Sequence, residues 1–408
     1  MLPPAKYLAA IGAGVLVAGA ACSTRPALTR EQQVAIPMLG APGAPATSRD
    51  GLTNTITQMD ARLASTPDDA AAAVRLADAL LRQTRVTGNA GLAIRAERAL
   101  VRVLAADPDH YYARRMLAAV LLSQHRFREA IAAAERCLQT RRDDAWLFGV
   151  IGDARLELGD YDEAFKAFDA MASIRPDAAA YARASYAREL QGDLDAAIKY
   201  MQMALEATSA RDPESLAWHH AQLGQLYLAR QQTADARREF RHADFSFPDH
   251  PLAIEGLVRT MVAGGDYTAA LARVRQLRAH APLPSVLALE GDLLTSLGRA
   301  AEAETAYRLA EAAWQSDVPE PARLALFLAE RGRRIDDAVR LAEQAAADRA
   351  DIFTEDALAW AYFKAGRLED ARAAIARALR TGTRDAVIHR HADAIASAAR
   401  NGSAGVDR

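Results

Sequence analysis

Few side chains in this sequence stand at spacings that suit chemistry. His219 and His220 are adjacent, so on a helix their rings point about 100° apart, a poor arrangement for gripping one metal ion. His389 and His391 are no better placed, and neither pair is expected to be a metal site. Arg331-Gly332-Arg333-Arg334 gathers guanidiniums at an expected turn and reads as a solvated charge cluster. There is no HExxH zinc-protease motif, no glycine-rich phosphate loop ending in Gly-Lys-Ser/Thr, and no GxSxG nucleophile elbow. No catalytic residue, cofactor or metal is therefore assigned, and the chain reads as a non-enzyme.

What the sequence does specify is a repeated helical unit. From Asp143 to Pro176, apolar or small residues recur at Trp146, Ile151 and Gly152, then at Ala164, Phe168 and Met171, so the 3.6-residue period of a helix runs twice. Gly159 interrupts it, as a glycine that closes a helix in the left-handed conformation would, and Pro176 ends the second helix. Further turns align on this one at Gly192, Gly265, Gly298 and Gly366, each followed by Ala197, Ala270, Ala303 and Ala371. Gly159 and Gly192 are 33 residues apart, as are Gly265 and Gly298, while Gly298 and Gly366 are separated by 68. Weaker copies start near Tyr112, Ser215 and Pro321, the last with Gly332 one residue early and hence an irregular turn. Asp69 to Pro108 fits a unit with a long inter-helix loop, QTRVTGNAG, and extra loop residues are expected near Ser209 to Glu214.

This pattern resembles the tetratricopeptide repeat, a helix-turn-helix unit of about 34 residues. The small residue of the first helix is Gly152, the close-contact alanine of the second is Ala164, and the terminal proline is Pro176. The resemblance implies an all-α, right-handed superhelical solenoid, with about nine units over residues 51–384 and a single capping helix over 385–400. Residues 401–408 are expected to be a disordered tail. The resemblance further implies that a protein or peptide partner binds the concave groove lined by first helices. In this register the groove-facing candidates are Arg115, Asp153, Tyr186, Gln225, Arg259, Asp292, Trp360 and Phe363. Trp146 and Trp218, with Trp360, are read mainly as packing between units. The Asn and Lys clamp that chaperone-tail members of the family use is not built here, because Asn54, Asn89 and Asn401 lie off the first helices.

The N-terminus points to export. Lys6 precedes an apolar run from Tyr7 to Cys22 that is short for a membrane span, which needs about 20 strongly apolar residues, so residues 1–22 read as a signal peptide. Cys22 follows Gly19-Ala20-Ala21, similar to the lipobox of bacterial lipoproteins, which implies lipidation at Cys22; cleavage after Ala18-Gly19-Ala20 would instead release a soluble secreted product. By that resemblance, Ser23 after the cysteine implies the periplasmic side of the outer membrane if the host is Gram-negative. Residues 23–50, rich in Pro, Ala and Gly, read as a flexible tether. Cys137, the other cysteine, falls where other units carry alanine and reads as a buried small hydrophobe.

Composition limits the partner. The 408-residue chain is 51% hydrophobic but only 6% aromatic, so its apolar content is mostly alanine and leucine, suited to closely packed helices. With 50 basic and 52 acidic residues it has no basic footprint for nucleic acid. The expected function is a non-catalytic scaffold of the cell envelope that holds a protein or peptide. The alternative is an accessory subunit of an envelope enzyme, or a hydrolase with dispersed catalytic residues.

Overall fold

Each helical hairpin is built from local signals. The Asp144 carboxylate accepts from the Trp146 backbone N–H at 3.1 Å and starts a helix, Ala145–Glu157, satisfying one of the donors that a helix N-terminus leaves free. Gly159 leaves that helix at φ +83, and a second helix follows at Tyr161–Ile174. The two meet where Gly152 faces the Phe168 ring so closely that a Cβ on Gly152 would stand 2.3 Å from a ring carbon. Ala164 at the same crossing is fully buried.

The computed structural model describes residues 47–315 and 318–403, and among them are 20 α-helices and no strand. Helix α1 (Arg49–Ser65) precedes nine antiparallel pairs. These are α2 and α3 (Ala70–Thr87, Gly91–Ala106), α4 and α5 (Tyr111–Ser123, Phe127–Thr140), and α6 and α7 (Ala145–Glu157, Tyr161–Ile174). Then come α8 and α9 (Ala178–Leu190, Leu194–Glu206), α10 and α11 (Pro213–Ala229, Thr233–Ser246), and α12 and α13 (Pro251–Ala263, Tyr267–His280). The last are α14 and α15 (Pro284–Ser296, Ala300–Trp314), α16 and α17 (Pro321–Glu330, Ile335–Asp348), and α18 and α19 (Ile352–Lys364, Leu368–Ala378). Helix α20 (Ala386–Ser403) packs its buried Ile388 and Ile395 onto the final pair. The fold is an all-α solenoid, and no helix among the described residues is long and apolar enough to cross a membrane.

From α4 onward the turn within each pair has a fixed slot two residues past the first helix, whereas α2 is closed one residue past its end by Gly88 at φ 70. Gly192, Gly265, Gly298 and Gly366 fill it at φ between +74 and +79, and the weaker copies put His125 and Gln231 there at φ 60 and 61. Gly332 occupies the same slot, but Arg334 also turns left-handed at φ 43 and delays α17 by one residue. The irregular turn read from the sequence is therefore an inserted residue after the glycine, not an early glycine.

Two boundaries differ from the sequence reading. The stretch read as the loop QTRVTGNAG is helical as far as Thr87, because Val86 is buried in the core and the Thr87 hydroxyl donates to the Gln83 carbonyl. Helix α1 begins at Arg49, inside the stretch read as tether, because the Ser48 hydroxyl caps it by accepting from Gly51 N–H. The signal peptide, Cys22 and the tether up to residue 46 lie outside the described residues, as do 404–408. Cys137 is buried, and burial pushes its thiol up to about 11.

The array winds back on itself. The turn at Leu158 to Tyr161 meets the chain around Ala350: Ala350 N–H donates to the Leu158 carbonyl, Ile352 N–H donates to the Tyr161 hydroxyl at 2.8 Å, and Arg349 pairs with Glu157 at 2.9 Å. One continuous core accordingly joins Leu156, Tyr161, Phe168 and Leu190 to Ile352, Ile375 and Ile388. Near the N-terminus, Arg49 lies over the Phe247 ring and donates to the Pro248 carbonyl, while Gly88 is pressed against Leu283.

Candidate binding cavity

Winding of this kind places the first helices of five successive pairs, α2, α4, α6, α8 and α10, around a cavity of about 710 Å³. The ring is closed by ion pairs from α2 to the start of α10. Arg82 reaches Asp212 at 3.1 Å and Glu214 at 3.2 Å, and Arg85 reaches Glu214 at 2.7 Å. The linker 207–212, six residues where most inter-pair connections have three or four, carries Asp212 to this position. Glu214 is 1% exposed; burial pushes its carboxyl up, but Arg85 and Arg82 more than offset this and hold it below its ordinary value. Burial also opposes the charge of Arg82, which Asp78, Asp212 and Glu214 nevertheless raise well above the usual arginine range.

Trp146, Tyr186 and Trp218 give the cavity flat apolar walls, and five arginines (82, 85, 175, 183, 211) face it together with six carboxylates (78, 153, 177, 189, 212, 214). Most of these charges are matched in pairs: Arg183 donates to Asp153 at 2.9 Å, and Arg175 stands 2.6 Å from Asp177. Glu189 is the exception in behaviour: burial, reinforced by the negative charge of Asp385, pushes its carboxyl up to about 7. Tyr186 beside it is raised too, by burial first and then by Glu157 and Glu189.

The eight groove candidates fall in several places. Asp153 and Tyr186 line the cavity. Arg115 is 3% exposed, bound to Asp144 at 2.6 Å and stacked on Trp146 at 4.0 Å, so it supports the wall from behind. Gln225 accepts from Arg259 at 3.3 Å, away from the cavity. Asp292 is occupied by Arg331 at 2.6 Å and by the Tyr307 hydroxyl at 2.9 Å. Trp360 stacks with Phe363 at 5.0 Å and with His391 at 4.0 Å. The arginines at 331, 333 and 334, read as solvated, instead bind Asp292, Glu304 and Glu311 of the preceding pair and so clasp one pair to the next, while Arg334 also holds Asp337 within its own pair.

Sequence reasoning missed Arg82, Arg85 and Arg183, and no local motif marks them. The histidine pairs are split by the helices that carry them. His219 is buried with Nδ1 3.0 Å from the Thr208 hydroxyl, whereas His220 turns to Glu239 on α11. Likewise His389 contacts the Thr383 carbonyl, and buried His391 contacts Asp356 at 2.9 Å.

Comparison with known proteins agrees with the repeat type. Profiles described as tetratricopeptide repeat match residues 121–188, and 93–145 with 256–318. No curated relative matches the chain. Among solved structures, the human IFIT1 dimer with PPP-AAAA is similar at TM-score 0.51 and 15% identity, covering 77% of this chain and 72% of that one. The human IFIT1 dimer with m7Gppp-AAAA gives TM-score 0.51 and 15% identity over 80% of this chain and 77% of that one. A tetratricopeptide repeat protein from Parabacteroides merdae gives TM-score 0.42 at 16% identity over 59% and 94%. At these identities the likeness concerns the fold alone, whereas the profiles fix the repeat type, a kind of repeat that generally mediates binding of protein partners. The chain is a tetratricopeptide repeat protein.

Proposed function

We propose that this protein is a non-catalytic scaffold of the cell envelope, anchored to a membrane through lipid on Cys22, that holds a segment of a partner protein in the ring formed by α2, α4, α6, α8 and α10. The observation that carries the binding part is the lining of the ring: three aromatic faces among matched Arg and Asp/Glu pairs in about 710 Å³. Cavities of roughly 300 to 1,000 Å³ with apolar walls and a few directed polar groups are the usual form of a ligand site. Aromatic side chains supply most of the energy in such contacts. Paired charges offer both donors and acceptors, which suits a peptide backbone with mixed side chains.

The IFIT1 structures carry PPP-AAAA and m7Gppp-AAAA. In this chain the five arginines that face the cavity are answered by six carboxylates, a balance that disfavours a phosphate-rich ligand, and we take a protein segment as the ligand. Glu189 favours the alternative of an enzyme or enzyme subunit, since a carboxyl pushed up to about 7 can exchange a proton near neutrality. The lipid anchor and the envelope location rest on the signal-like N-terminus and Cys22.

A photo-crosslinking amino acid in place of Trp218, inside the ring, is expected to capture a discrete partner in cells, while the same group in place of Phe245, 89% exposed on α11, does not. Equal capture from both positions rejects the ring as the binding site.

A further inference from the structure

We propose that His220, Glu239 and His242 form a binding site for a divalent transition-metal ion, zinc being the best fit, on the α10/α11 pair. The three side chains come from two helices and converge so that one ligand atom from each lies within 4.8 Å of the others. His220 Nδ1 is 2.9 Å and His242 Nδ1 is 3.8 Å from the same carboxylate oxygen, Glu239 Oε2. Ligand atoms held at about 2.1 Å from a tetrahedral zinc stand roughly 3.4 Å apart, and these two separations bracket that value. The imidazole rings are 5.2 Å apart at an interplanar angle of 71°, and the side chain of His242 is 54% exposed, free to turn inward.

The spacing is that of a helix-borne metal motif. Glu239 and His242 are separated by three residues and so share one face of α11, while His220 reaches them from the first helix of the same pair. Two imidazole nitrogens and one carboxylate oxygen suit zinc and its neighbours, and three protein ligands leave a fourth position for water.

The other carboxylate oxygen is already fixed from behind. Arg238 Nε stands 3.3 Å from Glu239 Oε1, and Arg238 is itself held by Asp235 at 2.7 Å. Ligating carboxylates are commonly oriented by such an outer hydrogen bond. Asp235 balances the guanidinium that would otherwise repel a cation. Glu239 is mostly buried at 9% side-chain exposure, so it faces its two histidines and Arg238 and little solvent. The site lies on α11, away from the residues that line the ring cavity, apart from the shared helix α10.

The test is titration of the purified full chain with Zn²⁺, followed by calorimetry and thermal melting, and with Co²⁺, followed by its visible absorption. The expected result is one saturable ion per chain in the micromolar range, a Co²⁺ spectrum of four-coordinate intensity, and a rise in Tm with added Zn²⁺. His242→Ala, at an exposed position, and Glu239→Gln, which keeps a hydrogen-bonding partner for His220, should each weaken binding by more than about tenfold and abolish the Tm rise while the metal-free Tm stays close to that of the parent. Binding of equal strength in both variants, or only weak six-coordinate Co²⁺ spread over surface histidines, would overturn the proposal.

Discussion

Gly159 touches the Ala350 carbonyl from the far side of the solenoid, 191 residues along the chain: a Cβ on Gly159 would stand 2.5 Å from that oxygen. Four other turn glycines in the same repeat slot, Gly265, Gly298, Gly332 and Gly366, have open space where a Cβ would go. One residue type thus serves two purposes, closing helices and admitting a neighbouring layer of the array at position 159 and again at Gly192, where a Cβ would stand 2.4 Å from the Gly382 carbonyl oxygen.

Gly159→Ala and Gly366→Ala should separate these purposes. Both place a side chain at φ above +75, which costs roughly 1 to 2 kcal/mol. Gly159→Ala meets backbone as well and should cost about 1 to 3 kcal/mol more. Chemical denaturation of the two variants checks this, and equal losses would mean that the two layers are not in contact in solution.

Ala164→Leu places extra methyl groups where Ala164 is fully buried between α6 and α7. Overpacking of such a crossing should lower stability by about 1 to 3 kcal/mol. A melt that overlays the parent would reject the register.

The buried carboxylate that closes the ring should be coupled to its arginine. Glu214→Gln leaves Arg82 and Arg85 with reduced compensation and should lower stability by about 3 kcal/mol. In a double-mutant cycle with Arg85→Met, the second change should cost much less once Glu214 is already neutral. Additive losses would show that the pair does not act as a unit.

His250 should make the protein acid-sensitive. The ring is 1% exposed, packs edge-on against Phe247 at 5.9 Å, and neither of its nitrogens has a hydrogen-bond partner among the described residues. Burial lowers it to about 4 from its ordinary 6.5, against the pull of Glu214. Above pH 6.5 both folded and unfolded states are neutral there, and His250 adds no pH dependence. As pH falls from 6.5 towards 4, the unfolded chain takes up a proton that the folded one refuses, so this group removes stability at about 1.4 kcal/mol per pH unit. His250→Leu should remove that component, and the stability of the variant relative to the parent should rise between about pH 7 and pH 5. Parallel curves would contradict the assignment.

The repeat was legible because its signals are local. Gly159, Ala164 and Pro176 lie within one hairpin, and short-range sterics decide what they do. The winding of the array was not legible, because it accumulates from small angles between successive pairs that no single residue sets. Gly159 and Gly366 look alike in sequence although only the first meets another layer. For the same reason Arg82 and Arg85 gave no signal: their partners Asp212 and Glu214 lie about 130 residues away. His219 and His220 drew attention by adjacency, whereas the neighbours that matter to His220 are Glu239 and His242, on the next helix.

The closed ring is the centre of this account, and small-angle X-ray scattering of the full chain tests it most directly. Extrapolated to zero concentration, the profile should match an array in which α2 meets the start of α10, and Glu214→Arg, which sets three guanidiniums against one another, should raise the radius of gyration. An open, extended profile for the parent, left unchanged by Glu214→Arg, would contradict the ring and with it the proposed binding site.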